Sequence, residues 1–152
     1  MNETSEQDIF DFWQDNPVGE NLTGKQDDWA LHFENYDRFR YSTEGHILEE
    51  LDAIPFQNKN VLEIGVGQAA DSLQIAKRGA RWNGLDPTLA AVERAKIRFG
   101  LNSVPYGKVK QGSAESIPWP DNEFDIIYSH GVLHHIPNIS NVVEEIDRVL
   151  KP

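Results

Sequence analysis

The sequence has 152 residues, 39% of them hydrophobic, and this size fits one domain built around a single core. Its 25 acidic and 14 basic residues give a formal net charge of -11, so most of the surface would repel a nucleic acid. Without cysteine, disulfides, thiolate metal ligands and thiol nucleophiles are excluded. No apolar run approaches the roughly 20 residues that span a bilayer, and the acidic start MNETSEQDIF is unlike a signal peptide, so a soluble, cytoplasmic protein is expected.

Residues 1–52 combine many aromatic residues with acidic ones, a composition that disordered tails avoid. Residues 16–17 and 22–24 are typical of turns. The stretch 44–51 repeats its apolar residues at helical spacing. We therefore expect residues 1–52 to form a helical cap, or lid, on a core domain made of residues 53–152.

From Asn60 onwards, strand and helix patterns alternate, which is typical of a parallel sheet with right-handed crossovers. Strands are predicted at 61–64, 81–85, about 108–110 and 124–129, and helices at 69–77, 88–98 and 140–150. The fourth strand, FDIIYS, is apolar enough to be buried on both faces, and Ser140 is the expected cap of the last helix.

A glycine turn follows the first predicted strand. Gly65 and Gly67 have no side chains, so a ligand can approach the backbone there, although such turns also serve plain strand-to-helix connections. Asp86 ends the second strand, 21 residues after Gly65, where its carboxylate can accept hydrogen bonds from both hydroxyls of a ribose or cap the next helix. With Ala70, the turn also satisfies the dinucleotide fingerprint, so a nicotinamide cofactor stays open at this point.

A longer segment separates these alternatives. The stretch QGSAESIPWPDNEFDIIYSHGVLHHIPN at 111–138 resembles the part of class I methyltransferases that holds adenine, forms the fourth strand and lines the acceptor pocket. With VLEIGVG, GLDPT and EEIDRVLKP it forms four motifs in order, a resemblance that covers residues 60–152. The resemblance implies a Rossmann-like α/β sheet with helices on both faces, S-adenosyl-L-methionine as cofactor, and methyl transfer to a small-molecule acceptor that the sequence does not identify.

The resemblance also implies which residues contact the cofactor. It assigns Glu63 and the turn at Gly65 and Gly67 to the methionine end and the ribose edge, Asp86 to the ribose hydroxyls, Ser113, Ala114 and Glu115 to adenine, and Ser129 to the neighbourhood of the reactive methyl group. From the cap, it implies lid contacts for Tyr36, Arg40 and Tyr41.

Histidines supply the candidate catalytic groups. His130 is expected to border the reactive methyl group, and His130 and His134 are the candidates for a catalytic base. The adjacent rings of His134 and His135 should point to different sides, one packing under the turn and the other facing the pocket, so no metal site is expected. His32 and His46 are expected to be surface or helix residues. Methyl transfer needs little more, because the acceptor has only to be desolvated and held in line behind the methyl group.

Two positions depart from the pattern of the resembling family. Ser113 stands where the family usually has an aspartate that accepts a bond from the adenine amino group, which suggests a weaker adenine contact. Ala69 stands where a third glycine is common, and its methyl group would crowd the cofactor if the backbone there has positive φ.

The family's sheet has seven strands in the order 3-2-1-4-5-7-6, of which the sequence contains the first four. This predicts a C-terminally truncated chain whose fourth strand is an exposed edge, able to self-associate or to pair with a partner that completes the sheet. Two alternatives to an active methyltransferase stay open: a non-catalytic, cofactor-binding remnant that needs a partner chain, and a nicotinamide-dependent oxidoreductase.

Overall fold

The computed structural model describes residues 6–16 and 28–152, so the turn predicted at 22–24 and part of the turn at 16–17 lie outside the described residues. The helices are α1 (Glu6–Asp15), α2 (Trp29–Thr43), α3 (His46–Ala53), α4 (Ala70–Lys77), α5 (Leu89–Asn102) and α6 (Ile139–Val149). The strands are β1 (Asn60–Ile64), β2 (Arg81–Asp86), β3 (Val109–Gln111) and β4 (Ile126–Tyr128), and a 3₁₀ turn covers Leu133–His135. No helix in these ranges is long and apolar enough to cross a membrane.

The four strands form one sheet in the order β3-β2-β1-β4, and every neighbouring pair is parallel. The central strand β1 pairs through Val61 with Trp82 of β2 on one side and with Ile126 of β4 on the other. The α/β class and the partial Rossmann-like sheet predicted from the alternating pattern are therefore confirmed.

Two apolar clusters lie on opposite faces of this sheet because side chains alternate along β1. Val61 joins a cluster that α3, α4 and α5 complete, with Trp82 and Phe99 stacked 4.7 Å apart between ring centroids. Leu62 joins the second cluster, to which α6 contributes Val142. Helices on both faces thus cover the strands and fix where their ends meet.

Three details differ from the sequence prediction. Helix α5 continues to Asn102 rather than ending at 98, since Gly100 is tolerated inside the helix. Asn138, not Ser140, caps α6, and its side chain accepts a hydrogen bond from the backbone amide of Asn141. Strand β4 is half-buried rather than buried on both faces, because the strand pairs fully on one side only.

Helix α2 is fixed to the core by a buried ion pair. The guanidinium of Arg98 on α5 is 1% exposed and pairs with the Asp37 carboxylate on α2. It also donates to the Gln68 carbonyl oxygen at 3.1 Å and lies 4.7 Å from the centroid of the Phe33 ring. His32 is a helix residue, as one of the two expected alternatives had it, and its side chain is buried, with Nε2 3.0 Å from Gln68 Oε1.

This ion pair generates a test of how α2 is held. The substitution Asp37→Ala leaves a buried cation without its counter-ion and should lower the free energy of unfolding by about 3 kcal/mol. Adding Arg98→Met, which removes the charge and keeps the volume, should recover part of that loss. Urea unfolding measures both. Glu93→Ala, which removes an exposed ion pair with Lys96, is the control and should change stability by less than about 0.5 kcal/mol. A double variant that is less stable than Asp37→Ala contradicts this account.

Candidate active site

A cavity of about 720 Å³ opens at the carboxyl ends of the parallel strands, where ligands bind in sheets of this kind. Its walls come from the segments that follow the four strands, together with α1, α2 and α5. The lining of the cavity includes Phe10, Trp13, Tyr36, Arg40, Glu44, Glu63, Gly65, Gly67, Asp71, Asp86, Ser113, Ala114, His130, His135, Ile136 and Pro137. Four predicted site residues, Tyr41, Glu115, Ser129 and His134, are not part of this lining.

The glycine turn places two different constraints on the chain. At Gly65, φ is +83°, and a Cβ atom would lie 2.2 Å from Val132 Cγ2. At Gly67, φ is +53°, and a Cβ atom would meet no atom of the described residues within 4 Å. Gly65 therefore allows the chain after β4 to approach β1, whereas Gly67 leaves open space in front of the turn.

The Asp86 carboxylate joins the glycine turn to the start of α5. Oδ2 accepts hydrogen bonds from the backbone amides of Val66 at 2.8 Å and Gly67 at 3.1 Å. Oδ1 accepts from the amide of Thr88 at 2.9 Å and from its hydroxyl at 2.8 Å. Asp86 also lines the cavity, so its position allows the predicted ribose contact while it holds the surrounding backbone.

Glu63 lies on β1 beneath the turn and is 4% exposed. Its Oε2 accepts hydrogen bonds from the Ser72 hydroxyl and from Trp82 Nε1, the latter at 2.7 Å. Burial raises the pKa of Glu63 to about 8, although these two bonds act in the opposite direction. The cavity therefore contains a carboxyl group that holds its proton near neutral pH.

Asp71, in the first turn of α4, is the centre of a network that the sequence analysis missed. Its carboxylate accepts two bonds from Arg40, at 2.9 and 2.5 Å, one from the Tyr41 hydroxyl at 3.1 Å and one from the Tyr128 hydroxyl at 2.8 Å. These bonds to Arg40 and the tyrosines lower the pKa of Asp71 against the effect of burial. The sequence does show an acidic residue directly after the glycine turn, which could have marked Asp71 as a site residue. It does not show the hydrogen-bond partners of Asp71, because they lie on α2 and β4.

The predicted lid residues have different positions. Tyr36 and Arg40 line the cavity, whereas Tyr41 binds Asp71 and lies outside the lining. Helix α1 adds Phe10 and Trp13, which the sequence analysis had placed only in the cap.

The segment after β3 carries the predicted adenine contacts. Ser113 and Ala114 line the cavity, and Ala114 is buried. The Ser113 hydroxyl accepts a bond from the Glu115 amide at 3.0 Å, so it stabilises the loop itself. After β4, Ser129 donates its hydroxyl proton to the Ile64 carbonyl oxygen at 2.9 Å and thereby ties β4 to β1.

The histidine rings are arranged differently from the prediction. His134 and His135 are both exposed, and their ring centroids lie 3.9 Å apart, so they do not point to different sides. His135 lines the cavity and contacts the Trp13 ring of α1 at 5.3 Å between centroids. His130 also lines the cavity, with Nδ1 3.3 Å from the Arg40 guanidinium. Within the described ranges, no group of three or more side chains could hold a metal ion.

The backbone of Ala69 has the positive φ, +57°, at which its methyl group was expected to crowd the cofactor. Its side chain is nevertheless fully buried in the cluster that contains Leu73 and Trp82, and Ala69 is not part of the cavity lining. The expectation that this methyl group crowds the cofactor was therefore wrong, because the Cβ atom points into the core.

Comparisons with known proteins agree with this geometry. A family described as "Methyltransferase domain" matches residues 62–152. The uncharacterized methyltransferase YcgJ of Bacillus subtilis is 36% identical over 91 residues, which are 60% of this chain and 36% of that protein. The crystal structure of YcgJ superimposes with a TM-score of 0.66 at 32% identity and covers 71% of this chain and 47% of that chain.

Two further relatives have named activities. The ubiquinone/menaquinone biosynthesis C-methyltransferase UbiE of Rickettsia bellii is 31% identical over 111 residues, 68% of this chain and 45% of that protein. A sterol 24-C-methyltransferase of Gibberella zeae is 33% identical over 123 residues, 78% of this chain and 31% of that protein. The chain thus spans between about a third and a half of the length of these relatives.

The two glycines of the turn predict different effects of one added methyl group. Gly65→Ala should lower the free energy of unfolding by about 3 kcal/mol, because left-handed strain adds to overpacking against Val132. Gly67→Ala should cost only about 1 kcal/mol, because nothing lies near its Cβ atom, but it should occupy space in front of the turn. Urea unfolding compares the two variants. Equal losses of stability would contradict the contact between Gly65 and Val132.

Proposed function

The chain belongs to the class I methyltransferases, and we propose that it transfers the methyl group of S-adenosylmethionine to a small-molecule acceptor. The observation that carries this proposal is the cavity at the carboxyl ends of β1 and β2, beneath a glycine turn with open space at Gly67. In parallel sheets, ligands with a ribose bind at this place. We also propose residues 1–52 as the cap and residues 53–152 as the cofactor-binding core.

The residues around the cavity fit the chemical groups of that cofactor. Gly67 leaves room for backbone contact, Asp86 lies where ribose hydroxyls would approach, and Glu63 offers a buried carboxyl group to a positively charged part of the ligand. Ser113 and Ala114 border the region proposed for adenine. When bound, the cofactor supplies an electrophilic methyl group on a sulfonium.

The protein's own contribution to the transfer is positioning. The walls of the cavity exclude water from the acceptor and hold it in line with the methyl group. His130 is the proposed catalytic base because it lines the cavity. His134, the second candidate, lies outside the lining, and its neighbour His135 lines the cavity instead. The Arg40 guanidinium can only donate a hydrogen bond, so it binds the lone pair of His130 Nδ1, and the neutral ring carries its proton on Nε2. His130 therefore acts as a base through Nδ1, once Arg40 no longer donates to that atom.

The outer wall of the cavity favours an apolar acceptor. Phe10 and Trp13 of α1 line the cavity together with Ile136 and Pro137 of the segment before α6, and the Trp13 ring contacts the His135 ring. Such a lining binds a small molecule through burial of apolar surface, with a few polar groups that fix its orientation. One relative is named as a C-methyltransferase of ubiquinone/menaquinone biosynthesis and another as a sterol methyltransferase, and both names fit an acceptor of this kind.

Binding of S-adenosylhomocysteine tests the proposed site. Calorimetry should show binding to the wild type, no comparable binding of NAD, and at least a tenfold loss of affinity in Asp86→Asn. Asparagine replaces one acceptor oxygen with a donor, so buried amides lose their partner and the free energy of unfolding should fall by about 1–3 kcal/mol. Asp52→Asn, which alters an exposed ion pair with Arg78 away from the cavity, is the matched control. Preference for NAD, or equal affinity in Asp86→Asn, would contradict the site.

A second copy of the chain is the proposed partner of strand β4. The backbone amide of Asp125 donates to β1, whereas the backbone groups of Phe124 bond on the opposite side with Val149 and Lys151. Because backbone groups alternate in direction along a strand, those of Ile126 and Tyr128 also point to that opposite side. Unpaired strand edges pair with other chains. Size-exclusion chromatography with light scattering should show dimers whose fraction rises with concentration, and hydrogen exchange at Ile126 should slow accordingly. A monomer at every concentration tested would contradict this proposal.

A further inference from the structure

One carboxyl oxygen of Glu63 accepts hydrogen bonds from other side chains, and the other does not. Oε2 accepts both the Ser72 and the Trp82 hydrogen bonds. Oε1 has no hydrogen-bond partner among residues 6–16 and 28–152. The fully enclosed polar atoms that lack a partner in these ranges do not include Oε1, so this oxygen is not fully enclosed. Because Glu63 lines the cavity, its uncommitted oxygen is open to a ligand.

Among the described residues, the charged groups around Glu63 do not supply it with a counter-ion. Asp71 on α4 is negative and raises the pKa of Glu63, and Arg40 on α2 is bound to Asp71 and to Glu44 at 2.9 Å. Burial raises the pKa of Tyr128 on β4, so this neighbour is a neutral phenol. Trp82 and Ser72 donate hydrogen bonds but carry no charge. Without a ligand, the Glu63 carboxyl group is therefore protonated at neutral pH.

We infer that Glu63 releases its proton when a positively charged ligand group enters the cavity beside Oε1. The O–H bond of the carboxyl group breaks, the proton passes to solvent buffer, and the carboxylate pairs with the ligand's charge in a site with little water. A cation within about 4–6 Å favours the ionised form of an acid, and burial strengthens that effect. This inference rests on the proposed function, since S-adenosylmethionine carries two such groups, an ammonium and a sulfonium.

Proton release makes Glu63 a specificity-determining residue for ligand charge. A cationic ligand gains an ion pair in the cavity, whereas a neutral analogue of the same shape meets a protonated carboxyl group and gains none. By linkage, affinity for the cation should rise with pH, by at most tenfold per unit, up to a pH of about 8, where half of the unliganded Glu63 has lost its proton. Above that pH the affinity should level off.

Calorimetry in buffers of different ionisation enthalpy measures the released protons directly. At pH 7 the wild type should release a substantial fraction of one proton per bound S-adenosylmethionine. S-adenosylhomocysteine, with the ammonium only, shows which cation acts: the same release assigns the ammonium, and a loss of release assigns the sulfonium. Methylthioadenosine, which lacks both charges, should bind without releasing a proton. Binding of S-adenosylmethionine with no proton release overturns the inference and leaves the proposed function intact, whereas no binding of any of the three overturns both.

Two matched variants assign the proton to Glu63. Glu63→Gln should abolish both the proton release and the rise of affinity with pH, and it should weaken binding of the active cation more than binding of methylthioadenosine. Glu44→Gln removes a partly exposed carboxylate from the same cavity and should leave the number of released protons unchanged. Unchanged release in Glu63→Gln overturns the inference. If Glu63→Gln does not fold, the comparison of the three ligands on the wild type still decides.

Discussion

One carboxylate holds together the two backbone segments on which the cavity is built. Asp86 accepts two amide bonds from the turn after β1 and two bonds from the start of α5, so both segments keep a fixed distance from the end of β2. A carboxylate has about four lone-pair sites, and these protein donors occupy four. A ribose at this place would therefore share acceptor sites with backbone amides. Its hydroxyls would meet a turn whose conformation does not depend on the ligand.

A second carboxylate, Asp71, connects helix α2 to the sheet. Its four donors come from α2 and β4, so the position of α2 over the cavity is determined by a charge on α4. The buried pair of Arg98 with Asp37 holds the same helix at α5. Buried ion pairs of this kind contribute little net stability, but breaking one is costly, which limits the ways in which α2 can pack. These two attachments explain why α2 contributes to the walls of the cavity.

The strands and the glycine turn could be predicted from the sequence because their signals are local. VLEI and RWNGLD are short apolar or mixed runs that end at a glycine turn and at Asp86, and alternation with helices implies a parallel sheet. The partners of Asp71 and the burial of His32 could not be predicted, since they depend on contacts between residues thirty or more positions apart. The arrangement of the His134 and His135 rings was predicted wrongly because a 3₁₀ turn replaced the assumed alternation.

Ala69 shows how a departure from the family pattern is accommodated without loss of the site. A left-handed alanine costs about 1 kcal/mol relative to glycine. Its methyl group is fully buried in the core, and burial of one such group contributes about 0.8 kcal/mol. The two effects nearly cancel, so folding gives little preference for glycine here. Because the Cβ atom of Ala69 points away from the cavity, a ligand in the cavity would give no preference for glycine at this position either. The turn therefore needs glycine only at Gly65 and Gly67.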